Sequence, residues 1–478
     1  MLRLAKSFAK RLIIDWRLYR ERARRRAGAP EFVGLTPDLW GYAVDREGYL
    51  AVHGVRATEL VARFGSPLHV VSPPWLRKTL DDFIGPFSAR YPRVRLATSY
   101  KTNPVPGVLR LLHDCGTYAE VISEFEFWLA ERLGLPGERI IVNGPGKNRS
   151  LLTRAVRAGA KVINIDSPGE IDVIAAEAER VGRRQAVGVR VVTSVGWSSQ
   201  FGLSIQAGDA LAAFERIKGF PSLTPTAVHL HIGTGLKKVS TYERAIRELL
   251  EFTAVLRARL GIELALYDLG GGFGVPTVRA GDVWDDRMIA LGYTVPDAFP
   301  PDCPTAAEYA EMVARSFAGF AASGSFPEIV LEPGRAITSS AQTLLLSVLA
   351  VKSSGGIRRL IMDGGKNITL PLAWETHKIF PGRAVTSPFD TKCDLYGPLC
   401  HPGDILSQNL LLPRLEVGDV IAIMDAGAYF IPNQMNFSNP RPQIIAVDSS
   451  GVRVLRRPES FEDIVQLDDM GHAGRPGS

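Results

Sequence analysis

RVRLATSYKTN, residues 93–103, runs through residues 94–100 as a buried strand and then stops on a single lysine, Lys101, with Pro104 and Pro106 close behind. A strand that ends on an isolated cation is the first unit of a longer pattern. Seven further β-rich runs follow: GTYAEVIS (116–123), RIIVNG (139–144), KVINIDS (161–167), AVGVRVV (186–192), AVHLHIG (227–233), LALYDLGGG (264–272) and EIVLEPGR (328–335). Helix-like stretches such as EFEFWLAERLG and TYERAIRELLEFTAVLRARLG lie between them. Such alternation is the signature of βα units around a parallel sheet, and eight strands are the count of a (β/α)8 barrel. An open doubly wound sheet would accommodate the same alternation.

Past residue 340 the runs TLLLSVLAVKSS, RRLIMDGG, DVIAIMDAGAY and PQIIAVDSSGVRVLRR are joined by turns, which predicts a second, mainly β domain. GYAVDREGYLAVHGV (41–55) alternates around a turn and is expected to pair with it. The division expected is a basic amphipathic extension over 1–36, a barrel over 66–340, and a β-rich domain from 37–65 and 341–478 that completes the active site.

The chain has 478 residues and a net charge of +6, but the first thirty residues hold ten Lys/Arg against Asp15 and Glu21. The remainder carries 46 basic and 48 acidic groups, so the basic character belongs to the tail and no nucleic-acid partner is expected. There Leu2, Ala5, Phe8, Leu12, Trp16 and Tyr19 share one helical face, with Lys6, Lys10, Arg17 and Arg24 elsewhere. A face of this kind fits an anionic membrane surface, an acidic carrier protein or a targeting role; the plainer alternative is a helix packed on its own protein. No stretch approaches the ~20 apolar residues of a membrane span, and no signal-peptide pattern is present. The four cysteines, Cys115, Cys303, Cys393 and Cys400, have neither paired spacing nor scaffold density, which points to reduced thiols and a cytoplasmic location.

In a barrel the reacting groups come from the C-terminal ends of the strands. The polar residues gather there: Lys101, Asn143, Asp166, Arg190, residues 231–234, the glycines 270–272, and Glu332 with Arg335. Singly, each is a weak signal; their order carries the argument. DLGGGFG and HIGTG allow backbone N–H groups to approach a phosphate, with the Thr234 hydroxyl and the Arg335 guanidinium as further donors. A lysine facing that cradle suggests an aldehyde cofactor bearing a phosphate and held as a Schiff base, pyridoxal 5'-phosphate (PLP). Its amine is expected to be kept reactive by partial burial and nearby cationic groups. Glu332 would hold the pyridine nitrogen protonated. No metal site is expected.

The set SYKTN, HIGTG, DLGGGFG, EPGR, GPLCHPGD and DAGAYFIPNQMNF, in this order, resembles the fold-type III PLP enzymes of the diaminopimelate and ornithine decarboxylase group, over about residues 38–448. The resemblance implies an alanine racemase-like barrel with a C-terminal β domain. It makes Lys101 the cofactor lysine, stacks His231 on the ring, sets Glu332 against the ring nitrogen, and places Thr234, Gly271, Gly272 and Arg335 around the phosphate. Arg335 also reaches the substrate carboxylate in part of the family. Tyr429 would bind the cofactor. The GPxC loop would enter a neighbouring subunit's site, so that a homodimer is implied and Cys400 is the acid that reprotonates the substrate carbon. The activity implied is decarboxylation of an amino acid. A racemase on the same fold and a non-catalytic relative are the alternatives; Glu332 disfavours the first, and retention of Lys101, His231, Glu332 and Cys400 the second.

At the substrate's distal end the chain departs from these relatives. His401 stands where they place an acid after the cysteine, and ITLPLAW offers Leu370 and Trp374 in place of an arginine and a tyrosine. Loss of paired polar readers penalises a charged substrate end. The expected substrate is therefore not diaminopimelate but one with a less charged, larger or carrier-linked distal end.

Overall fold

The computed structural model describes residues 2–197 and 199–469. Side chains of residues 2–7 fall outside that description, among them Leu2, Ala5 and Lys6 of the expected helical face. The chain divides into two compact units, one formed by Pro74–Pro276 with Pro300–Ser339, the other by the residues up to 73, 277–299 and those from 340 onward.

The first unit is a closed barrel. Val94–Ser99, Tyr118–Val121, Ile140–Val142, Val162–Ile165, Gln185–Val192, Leu223–Leu230, Leu266–Asp268 and Glu328–Leu331 form parallel neighbours, and pairing of Val162–Ile165 with Gln185–Val192 closes the ring. Closure excludes the open doubly wound sheet. Strands covered on both faces favour apolar residues, which is why segments such as Ile140–Val142 read as apolar runs. Ala97, Ile141, Val162, Ala227, Leu266 and Val330, each from a different strand, form one buried cluster. At roughly 1.5–3 kcal/mol for each large apolar side chain buried, such a layer fixes the strand register. Local signals place the helices that separate the strands. Arg149–Ala158, for example, starts where the Asn148 side chain accepts from Leu151 N at 2.8 Å and stops at Gly159, whose φ of 67° ends the helix.

In the second unit a nine-stranded sheet runs through Gln342–Ser354, which pairs with Ile357–Met362, Val420–Ile423 and Leu68–Val71. Leu68–Val71 also pairs in parallel with Gln443–Asp448. This corrects two expectations. The strand from before the barrel that joins this sheet is Leu68–Val71, which sequence reading assigns to the barrel. The segment 41–55 instead forms its own three-stranded sheet, Tyr42–Val44, Leu50–Val52 and Val55–Arg56, packed through Leu50, Val52 and Trp40 into a core shared with Phe380 and Val420. Residues 277–299, read as barrel, likewise count with this unit.

The N-terminal helix, Leu2–Gly28, shows a different packed face from the one its spacing suggests. Ile14 is buried at 2% exposure, whereas Phe8, Leu12, Trp16 and Tyr19 are exposed. No helix among the described residues is long and apolar enough to cross a membrane.

Candidate functional site

Lys101 sits in the short 3-10 turn Tyr100–Thr102 that directly follows the first barrel strand. Its Nζ donates to Glu120 Oε2 at 2.9 Å and Oε1 at 3.1 Å. A carboxylate thus stands at contact distance from the amine. Glu120 comes from the middle of the second strand and is 1% exposed. It also accepts from Ser99 Oγ at 2.5 Å and Asn143 Nδ2 at 3.2 Å, so it is fully partnered.

Asn143 ties this pair to the opposite wall, since its Nδ2 donates to Glu332 Oε1 at 2.6 Å. Asn164 Nδ2 in turn donates to Asn143 Oδ1 at 2.8 Å, which fixes the amide. Glu332 follows the last strand and is 4% exposed. Burial alone would raise its pKa, but His229 (Nε2 to Oε2, 3.7 Å) and the charge of Lys101 outweigh burial and hold it well below the usual carboxylate range. Asp268, buried beside it, is pushed the other way by burial and by the charge of Glu332. The two acids therefore share one negative charge, and it rests on Glu332. His229, Asp268 and Glu332 offer ligand atoms that all lie within 4.8 Å of one another.

His231 accepts from Gly271 N at 3.2 Å through Nδ1. Burial, then the charge of Lys101, lowers its pKa to about 3, so the imidazole is neutral. The glycines behind it are required by close backbone approach. A Cβ on Gly271 would lie 2.2 Å from Glu332 O, and one on Gly272, whose φ is 88°, 2.1 Å from Gly233 O. Tyr242 Oη supports the same turn by donating to Gly271 O at 3.2 Å. Thr234 follows on an exposed turn, and Arg335 opens the short helix Gly334–Thr338. A Cβ on Gly334 would meet Thr102 Oγ1 at 2.2 Å, so that helix abuts the Lys101 turn. Asp166 and Arg190 position a loop: Asp166 Oδ1 accepts from Gly202 N at 2.8 Å, and the Arg190 guanidinium lies 4.3 Å over the Phe201 ring.

These residues fit PLP. A primary amine at a strand end can take the aldehyde, a buried carboxylate held ionised suits a protonated ring nitrogen, and a neutral imidazole offers a flat apolar face. The glycine turns bring backbone N–H groups where no side chain fits, the requirement of a phosphate cradle. Lys101, His231, Gly271 and Glu332 are thus brought together by the barrel, with Gly272 packed directly behind. Glu120, His229 and Asp268 escape sequence reading. Glu120 and His229 lie inside their strands, and Asp268 is the last residue of Leu266–Asp268.

Cys400, His401, Trp374 and Tyr429 belong to the other unit. The loop with Cys400 is organised by buried Asp404, whose Oδ2 accepts from Leu399 N at 2.8 Å and Oδ1 from Lys366 N at 2.6 Å. A Cβ on Gly397 would lie 2.3 Å from that carboxylate, which explains the GPxCxxxD spacing. Cys400 is exposed and all four cysteines are free thiols. The His401 ring turns back on its own loop, with Nδ1 accepting from Gly403 N at 3.0 Å. Trp374 is 47% exposed after the turn Leu370–Ala373, and Tyr429 has a φ of 66°.

Residues 81–339 match the family described as pyridoxal-dependent decarboxylase, pyridoxal binding domain. The diaminopimelate decarboxylase of Zymomonas mobilis is 30% identical over 88% of this chain and 97% of its own length. That of Methanocaldococcus jannaschii is 26% identical over 88% and 95%. The crystal structure of the M. jannaschii enzyme superposes with a TM-score of 0.80 at 25% identity, covering 91% of this chain and 98% of that one. The lysine/ornithine decarboxylase of Vibrio vulnificus, at 22% identity and a TM-score of 0.66, shares the fold. Fold, cofactor chemistry and relatives agree: the chain belongs to the fold-type III PLP-dependent decarboxylases of the diaminopimelate and ornithine decarboxylase family and is an amino-acid decarboxylase on an alanine racemase-like barrel.

Proposed function

We propose that this enzyme decarboxylates an amino acid whose distal end is not a free ammonium-bearing carbon, in a site completed by a second copy of the chain. When bound, PLP supplies an aldehyde for the substrate's α-amine and a ring that draws electrons from the bond to the departing carboxylate. The residues do the rest. Lys101 would anchor the cofactor through its amine. Glu332 would set its negative charge toward the ring nitrogen, the neutral His231 ring would offer a flat face to the cofactor ring, and the turns of residues 233–235 and 270–272, with Thr234 and Arg335, would hold the phosphate. Tyr429 adds a cofactor contact. The Cys400 thiol would deliver to the substrate α-carbon the proton that takes the place of the departing carboxylate.

The observation that carries the substrate reading is His401, at the position after the loop cysteine, with its imidazole bonded to Gly403 N. It offers no carboxylate to a distal ammonium, and Leu370 and Trp374 add none. A buried ammonium without a partner costs several kcal/mol. A second reading, diaminopimelate itself, is favoured by relatives of that name spanning 88% of the chain. A CO2-release panel of diaminopimelate, lysine, ornithine, neutral amino acids and aminoacyl-carrier conjugates separates the two. The basic amino acids are expected to be at least about tenfold poorer in kcat/KM than the best substrate. Diaminopimelate turning over fastest would establish the second reading. Activity confined to the conjugates would assign an acidic carrier protein as the donor.

The exposed Cys400 supports the shared site. Mixing inactive Lys101→Ala and Cys400→Ala subunits regenerates one intact site per heterodimer, so random exchange is expected to restore about a quarter of the activity. No recovery after verified exchange would place both residues in one subunit's site.

A further inference from the structure

We infer that the outer face of the N-terminal helix is a docking surface for an anionic lipid bilayer, an inference independent of the substrate reading. The helix is anchored along one side only. Ile14 is buried, Leu18 half-buried, Arg17 lies 4.2 Å over the Trp284 ring, and Arg25 lies 4.9 Å over the Phe299 ring and donates to Asp297 O at 3.2 Å. All these partners lie in residues 277–299, part of the same unit.

The opposite side carries Phe8, Leu12, Trp16 and Tyr19, one to each successive turn, with Ile13 at their edge. They are 65%, 55%, 57%, 71% and, for Ile13, 47% exposed. A face this apolar is rarely left to water. Its surroundings name the occupant. Arg20, Arg22 and Arg26 are all exposed, and the Arg20 guanidinium lies 4.8 Å over Trp16. The helix's two acids are both engaged, Glu21 with Arg25 and Asp15 with Tyr293. Beside its apolar residues the outward face thus presents Arg20, Arg22 and Arg26. A single convex helix with Trp and Tyr among its apolar residues and cations beside them matches the interface of an anionic membrane, where the rings sit at headgroup depth and the cations meet lipid phosphates. An acidic protein partner would satisfy the cations but would need a groove of its own for four large side chains.

The test uses the full-length holoenzyme with vesicles of phosphatidylcholine alone and of phosphatidylcholine with phosphatidylglycerol. Co-sedimentation is expected with the mixed vesicles only, weakening as salt is raised. Leu12→Glu/Trp16→Glu, on the exposed side, and Arg20→Glu/Arg26→Glu should each lower that binding at least about tenfold, leaving cofactor absorbance and CO2 release unchanged. Equal binding to pure phosphatidylcholine, or none to either vesicle, would overturn the inference. A self-association that Leu12→Glu/Trp16→Glu removes, without vesicle binding, would overturn it in favour of a contact between copies of the chain.

Discussion

Lys101→Ala is expected to fold normally and to lose both covalent cofactor attachment and CO2 release from every substrate. The barrel does not need the amine. Glu120, the carboxylate beneath it, loses its ion-pair partner but keeps the Ser99 hydroxyl and the Asn143 amide as donors, so its oxygens stay hydrogen-bonded. Lys101→Arg sharpens the test. A guanidinium retains the positive charge opposite Glu120 but has no amine to condense with an aldehyde. Both variants should show wild-type thermal unfolding without cofactor and background CO2 release. Borohydride reduction followed by peptide mass spectrometry should find the cofactor on Lys101 in wild type and on no residue in either variant. CO2 release at the wild-type rate from Lys101→Arg would remove Lys101 from the chemistry and leave the ion pair as its whole role.

The strands were legible because a parallel barrel buries both faces of each strand, so the apolar runs around Val94–Ser99 and Ile140–Val142 have no competing reading. Lys101, His231 and Glu332 were legible for the converse reason: they are polar groups where such runs stop. Leu68–Val71 was not. Four consecutive buried residues, LHVV, carry no period that says which sheet they join, and long-range pairing with Gln342–Ser354 decides it. The N-terminal helix was legible in part. Its strongest apolar stripe is real, but the face that packs is built from Ile14, Leu18 and arginines laid over Trp284 and Phe299, and hydrophobic periodicity does not count a guanidinium on an aromatic ring as a core contact. The carboxylate pair was hidden in the same way. Asp268 precedes the glycine turn and scores as a strand end, and only the barrel's closure brings it against Glu332.

Glu332→Gln is expected to retain fold and cofactor and to slow CO2 release by at least about 100-fold, some 2.7 kcal/mol in the barrier. The isosteric amide can still accept from Asn143 Nδ2, so the wall between the third and eighth strands stays tied. What disappears is the negative charge that His229 and Lys101 hold in place against burial. Asp268 complicates the outcome in a way that can be used. Its proton is retained partly because Glu332 is charged; once the neutral amide replaces that carboxylate the repulsion is gone, and Asp268 can ionise more readily one side chain away. An anion displaced by that distance should recover part of the rate at high pH, giving the variant a rising pH profile that wild type lacks. Glu332→Gln/Asp268→Asn then separates charge from position. It should be slower than the single variant and flat with pH, whereas a structural role for Glu332 would leave the second substitution without effect on the profile. A Glu332→Gln rate within about threefold of wild type would show that the ring nitrogen needs no anionic partner in this enzyme.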